Sequence, residues 1–344
     1  MSNVTFFSPE YYEKFQCKGG ACRRSCCGGW PIAVSMEEYF RLIGMDCSPA
    51  LRRRMDCAFH FSESGDEACY AKIYPNFIGD CPMHREDGLC ALHGECGEDA
   101  LPDVCRLFPR VVLCFGHPIR LCSSACEHTV ELLTESDEPL RFVENSGSDA
   151  LLKHVRTVEH TPEREAIFRF CLGTMADRSL SLFARIHRIA AHLLGGKSSA
   201  AEQSDEEVFA IQRALATHYA EHSASVGELC RQSLDAVTSP EEFCTGLTRL
   251  EERFPSLWIW LEKVFSNYMV QECFPFTARE RELPHEGEAL SILCAFCLYL
   301  LVGYQPKDRE EWIDCVAAIF RLVGHTAFDH NALVIARRAL ETRQ

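Results

Sequence analysis

The order of apolar and polar positions divides the chain into two unlike parts. Beyond residue 150, apolar residues recur at intervals of three and four, the spacing that lines one face of a helix. This spacing predicts helices over Pro162–Leu172, Ser181–Leu194, Asp205–His222, Pro240–Phe254, Leu257–Cys273, Glu286–Val302, Asp308–Leu322 and Asn331–Thr342. Ser204, Asp205 and the Ser239-Pro240 pair are start signals, and Gly195-Gly196 is a stop. No repeat of roughly 20 to 50 residues emerges, so a solenoid is not expected.

Before residue 135 the pattern is short and broken. Pro9 to Phe15 reads as a short helix or extended arm. Ser35 with Glu38 forms a capping box that opens a helix through Met36–Ile43, stopped at Gly44. A second helical piece runs from Pro49 to Cys57. Cys69 to Tyr74 alternates as a strand ended by Pro75-Asn76, and Val111–Phe115 turns at Gly116-His117-Pro118 into Ile119–Cys122. Between Glu135 and Asp149, Ser, Asp, Glu, Pro and Gly dominate, which reads as a surface connection and a boundary. The expected organisation is a cysteine-rich domain over 1–134 and a helical domain over 150–344. The fold class is α+β, mostly α: a loop-rich cysteine-rich domain packed on a carboxyl-terminal all-α bundle.

Composition sharpens this division. Of 21 cysteines among 344 residues, fourteen lie at or before Cys126, and the rest are scattered singly among helices as small core hydrophobes. The net charge of −15 argues against nucleic acid and against docking on anionic lipid. The amino terminus lacks a basic start followed by a long apolar run, and the run Ile292–Val302 is about half the length a bilayer requires. A cytoplasmic protein is expected. In that compartment thiols stay reduced, so dense cysteines point to metal rather than disulfides.

The densest stretch, Cys17-Lys18-Gly19-Gly20-Ala21-Cys22-Arg23-Arg24-Ser25-Cys26-Cys27, sets four thiols among glycines and cations that favour thiolates. Cys81-Pro82, then Cys90 with His93, then Cys105-Arg106-Leu107-Phe108-Pro109, then Cys122 with Cys126 complete a constellation. Four thiolates fill an iron–sulfur or structural zinc shell, so Cys17, Cys22, Cys26, Cys27, Cys81, Cys90, Cys105, Cys122 and Cys126 are the candidate ligands. Adjacent side chains diverge, so Cys26 and Cys27 are not expected to bind one centre together. Cys47, Cys57, Cys69 and Cys114 read as packing residues, and Cys96 is left open.

The segment Phe15 to Trp30, the Cys81-Pro82 and Cys90 elements and the Cys105 to Pro109 run resemble the cysteine-rich family described as an iron- or zinc-chelating CxxCxxCC domain. The whole chain resembles the bacterial flagellin lysine-N-methylases. In the helical half, Leu261-Glu262, Asn267-Tyr268 and Phe274-Pro275-Phe276 look like that family's Glu-Asn-Tyr and Phe-Pro segments, with Lys263 where the family has Asn. The resemblance implies methyl transfer from S-adenosylmethionine to flagellin lysines by an enzyme with a [4Fe-4S] cluster. The residues themselves show neither a strand–GxGxG–helix signature nor the Cys-x3-Cys-x2-Cys spacing, since Gly29 stands where a third cysteine would follow Cys22 and Cys26.

Secondary candidates are His84, His93, His117 and His128, which read first as packing or surface residues, and Arg106 and Arg110, which can hold a carboxylate or hydrogen-bond cluster sulfurs. Trp258, Trp260, Phe265, Tyr268 and Phe274 read as helix core. Tyr11, Tyr12, Glu262 and Tyr268 are candidates for taking a proton from a lysine acceptor, but no catalytic residue is singled out. Two other classes stay open: a zinc-stabilised interaction module, and an iron–sulfur redox or electron-transfer protein.

Overall fold

The computed structural model describes residues 3–63, 66–77, 79–148, 152–153, 155–195, 204–278 and 281–341. Asp149, Gly196 and Thr342, which the sequence places at a boundary, a stop and a helix end, lie outside the described residues.

In chain order the first half forms β1 (Asn3–Pro9), β2 (Ile32–Val34), α1 (Met36–Gly44), α2 (Pro49–Asp56), β3 (Phe59–Phe61), β4 (Ala71–Ile73), α3 (Ala91–Cys96), α4 (Asp103–Leu107), β5 (Arg110–Phe115), β6 (His117–Cys122), α5 (Glu127–Leu133), β7 (Phe142–Ser148) and β8 (Arg156–Thr157). Helices follow: α6 (Pro162–Met175), α7 (Leu182–Leu193), α8 (Asp205–His222), α9 (Gly227–Ala236), α10 (Pro240–Arg253), α11 (Leu257–Glu272), α12 (Leu283–Tyr304), α13 (Arg309–His325) and α14 (Phe328–Glu341). The class is α+β and mostly α, as the hydrophobic spacing predicts.

The chain divides into two compact units, Gln16–Phe108 and Met1–Phe15 with Pro109–Gln344. This is not the division at residues 134 and 150. The larger unit owns a five-stranded sheet in the order β7-β1-β6-β5-β8. There β1 runs parallel to β6, and antiparallel to β7 with Asn3 opposite Ser148 and Pro9 opposite Phe142. The stretch Glu135–Asp149 therefore contains a paired strand rather than only a surface connection. The reason is backbone accounting: β1 carries donors and acceptors on both edges, and segments more than a hundred residues away supply their partners.

The helical core centres on α12, which packs against α7, α9, α10 and α14 and buries residues on every side. By length and composition this helix is long enough to cross a membrane, yet 78% of its apolar window is buried inside the protein. That marks it as a core helix. Gly303 lets α9 come close, because a Cβ there would lie 2.4 Å from Ser233. Capping sets the helix starts: Ser204 and Glu207 form a capping box on α8, and Ser239 and Asp308 cap α10 and α13. Helix α9 is not predicted by the pattern; it lacks a side-chain cap and is held by packing on α8 and α12.

The smaller unit holds the three-stranded sheet β2-β4-β3, all antiparallel, beside α1 and α2. Ser35 and Glu38 form the expected capping box on α1. Its core is small, gathered around Val34, Leu42, Leu51, Met55 and Ile73. Cys47 packs against it, whereas Cys57 is exposed and does not pack as the sequence reading has it.

Candidate metal centre

Four of the nine candidate ligands, Cys27, Cys81, Cys90 and Cys105, lie within electrostatic influence of one another in the unit Gln16–Phe108, although among the described residues no three His, Cys, Asp or Glu side chains are grouped as a metal ion needs. Two short backbone pairings assemble three of them. The Cys81 amide donates to the Cys27 carbonyl at 2.7 Å, next to a bridge between Gly28 and Asp80, and the Gly29 amide donates to the Gly79 carbonyl at 2.8 Å. A tight turn, closed by the His84 amide on the Cys81 carbonyl at 2.8 Å, then leads back to Cys90 through a His84–Cys90 bridge. Cys90 is the N-cap residue of α3, without a side-chain cap hydrogen bond, and the nearby backbone amides of His93 and Leu92 offset part of the rise that burial gives its thiol. Cys105 arrives on α4, whose first amide, that of Asp103, donates to Glu38 Oε1 at 2.6 Å. The carboxylate that boxes α1 thus also anchors α4. The Trp30 indole donates to the Cys26 carbonyl at 2.7 Å and packs on Phe108.

The charges of these thiols act on one another. Cys27 is pulled down to about 6, chiefly by a hydrogen bond from the Cys26 thiol, helped by Ser25 and His84. Burial and the Cys27 charge push Cys81 up to about 11 and raise Cys90. Cys105 is raised chiefly by desolvation, with the charges of Cys27, Cys81 and Cys90 adding to it. One thiolate makes each further thiolate costlier unless a cation joins them. Beside them the His84 Nε2 is buried and has no hydrogen-bond partner, while its Nδ1 stands 3.8 Å from Asp80.

The other predicted ligands lie elsewhere. Cys17 is exposed, its sulfur accepting the Gly19 amide at 3.4 Å, and Cys22 follows a single 3-10 turn. This segment lies against the turn at residues 85–89, where a Cβ on Gly20 would meet the Asp87 carbonyl at 2.6 Å. The Cys26 side chain hydrogen-bonds the Cys27 sulfur, so these two thiols lie next to each other. Cys122 and Cys126 belong to the larger unit, at the end of β6 and the N-cap of α5, and feel each other's charge. Cys96 packs with Cys47 on the small core.

Among the secondary candidates, His93 and His117 are exposed, His128 Nδ1 meets Glu131 at 2.8 Å, and Arg106 is paired with Asp103 at 2.6 Å. Arg110 stands over the Phe15 ring. The Tyr11 hydroxyl donates to Asn267 Oδ1 at 2.6 Å and accepts the Cys122 amide, and burial raises both Tyr11 and Tyr12. Glu262 is 3% exposed and pinned by Arg178 and Arg185, and Tyr268 packs edge-on against Phe320. Sequence reasoning does not find Ser25, Glu38 and Trp30 as supports of the thiol group. Only Ser25, two residues before Cys27, carries a local signal, that of a hydroxyl turn.

No protein-family profile matches the chain, and no solved structure does. Two proteins named lysine-N-methylase, from Salmonella typhimurium and Salmonella choleraesuis, are each 28% identical over 191 residues, which is 55% of this chain and 47% of theirs. A flagellar biosynthetic protein FliU from Salmonella muenchen is 27% identical over 139 residues, 40% of this chain and 82% of that protein. The chain spans about half the length of the lysine-N-methylases it matches. Over about half of its length, the chain is similar to proteins named lysine-N-methylase.

Proposed function

We propose that the protein is a protein-lysine N-methyltransferase that moves methyl groups from S-adenosylmethionine to flagellin in the cytoplasm, with a [4Fe-4S] cluster held by Cys27, Cys81, Cys90 and Cys105. The likeness to two proteins named lysine-N-methylase carries this reading. The relative named for flagellar biosynthesis supports a flagellar substrate, and the charge of −15 disfavours nucleic acid and anionic membranes.

The donor set fits the group. Four sulfurs suit a soft metal, and the unpartnered His84 Nε2 beside them can hydrogen-bond a cluster sulfide. Among the described residues, no three His, Cys, Asp or Glu side chains converge as a single metal ion requires. Four thiolates fill the shell of an iron–sulfur cluster or of a structural zinc alike, and the likeness to the lysine-N-methylases is what favours the cluster. When bound, such a centre would supply one-electron chemistry.

In the transfer itself, the lone pair of a neutral lysine Nζ attacks the methyl carbon. The carbon–sulfur bond breaks with its electrons staying on sulfur, and the amine then sheds a proton. A lysine with an ordinary pKa of about 10.4 must lose a proton beforehand, which requires an acceptor. Glu262, already held by two guanidiniums, and the buried Tyr11 are poorly suited to that part.

The test is anaerobic purification with iron and zinc analysis, followed by incubation with labelled S-adenosylmethionine and flagellin. Iron with visible absorption and labelled flagellin lysines is the expected outcome. A colourless zinc protein that transfers no label would instead establish the interaction module, and a reversible cluster signal without transfer the redox protein.

A further inference from the structure

A cavity of about 450 Å³ opens in the helical unit at the start of α7, and none of the candidate cysteines lines it. Its floor is Glu262 on α11. Arg178 grips this carboxylate with Nε at 2.9 Å and Nη2 at 3.1 Å, and Arg185 adds Nη1 at 2.9 Å. Two guanidiniums against one carboxylate leave this triad one positive charge in excess, in a chain that is acidic overall. Behind it, Lys263 donates to the Ser136 carbonyl and Asp137 accepts from Ser256, so those two charges offset each other.

Arg185 lines the cavity and is only 7% exposed. It gives Nε to the Leu180 carbonyl and Nη1 to the Met175 carbonyl and Glu262, and its Nη2 makes no hydrogen bond among the described residues. The first turn of α7, capped by Ser181, adds amide groups at the positive end of a twelve-residue helix. One wall is flat: the Trp258 indole, met by the half-exposed Phe183 ring at 5.6 Å.

This lining has two polar vacancies of opposite sign side by side. The Nη2 group with the helix start suits a carboxylate. Glu262 accepts three hydrogen bonds, and a carboxylate has room for about four, so one position is left for an ammonium. Carboxylate and ammonium on adjacent atoms are the head group of an α-amino acid, and the indole offers a surface for an attached ring. The volume falls within the range of small-molecule sites, roughly 300 to 1,000 Å³.

We infer that this cavity binds S-adenosylmethionine: its α-carboxylate on Arg185 and the α7 start, its α-ammonium on Glu262, its adenine against Trp258. The inference rests on the methyl-transfer reading above and adds the place where the donor binds. Free methionine would share the head group, and adenosine the ring alone.

Equilibrium binding on the anaerobically purified full chain tests it, with S-adenosylmethionine, S-adenosylhomocysteine, methionine and adenosine as probes. Trp258→Leu and Arg178→Met remove the flat wall and the more exposed guanidinium, leaving Arg185 to hold Glu262; their melting curves check that they fold. Both adenosyl amino acids should bind more tightly than either half, and each variant should weaken them at least tenfold. If wild type and both folded variants bind S-adenosylmethionine alike, the cavity is not the site while methyl transfer stands. If wild type binds none, the donor reading falls together with the site.

Discussion

In the unit Gln16–Phe108 the cysteines sit half-buried or exposed on turns and helix ends, whereas in the helical unit Cys171, Cys230, Cys294, Cys297 and Cys315 are buried in the core. Burial alone pushes Cys171 and Cys297 up to about 12, leaving them inert thiols that pack like small hydrophobes. Cys81 and Cys90 are raised by burial and also by the charge of Cys27, which hydrogen bonds from Cys26 and Ser25 pull down. The same residue type therefore does two jobs. A second sulfur within electrostatic reach does not by itself decide the job, since Cys294 and Cys297 also feel each other; full burial in an apolar helical core sets the packing thiols apart. The means of stability differ in parallel: the helical unit wraps long helices around α12, and the small unit has a modest core and short elements. Such a unit gains most from bonds to a metal.

The comparison breaks most visibly on metal removal. Anaerobic chelation should cost the small unit on the order of 10 kcal/mol of folding free energy, as in small metal-folded domains. Limited proteolysis with mass mapping should then find new cuts within residues 16–108 and none in α6–α14. Cys27→Ala and Cys105→Ala should each abolish the same visible band, and Cys297→Ala should leave it. Equal protection of both units after chelation would mean that burial alone holds the small one.

An intermediate effect belongs to the helical unit. Phe296 on α12 is fully buried, so Phe296→Ala should cost about 3–5 kcal/mol by denaturant titration. Iron content per folded molecule should not change. The smallest effect sharpens the comparison from the other side. Ser35→Ala removes half of the capping box on α1 and should cost about 1 kcal/mol, read as a lower melting temperature of the small unit with its absorption band intact.

Much of the helical unit was legible because its signals are local. Ser204 with Glu207 and Ser239-Pro240 mark starts within one turn of the chain, and α8 runs over Asp205–His222, the span its spacing predicts. Where local signals were weak the reading failed. Helix α9 begins at Gly227 after an uncapped Val226, α5 falls in a short segment without a clear period, and α12 starts at Leu283 rather than Glu286. Strand β7 hid in a polar, glycine-containing stretch whose partner lies at the other end of the unit.

The sequence by itself determined the mostly helical class, the capped helix starts, the concentration of thiols before Cys126 and the likeness to lysine-N-methylases. Tertiary structure alone decided which thiols meet, that Gln16–Phe108 is the compact thiol-bearing unit, and that Glu262 lies between two arginines beside a cavity. The physical reason is range. Caps and helical periods are set by residues three or four apart, whereas Cys27 reaches Cys105 only after turns, β-bridges and the Glu38 anchor have brought distant segments together.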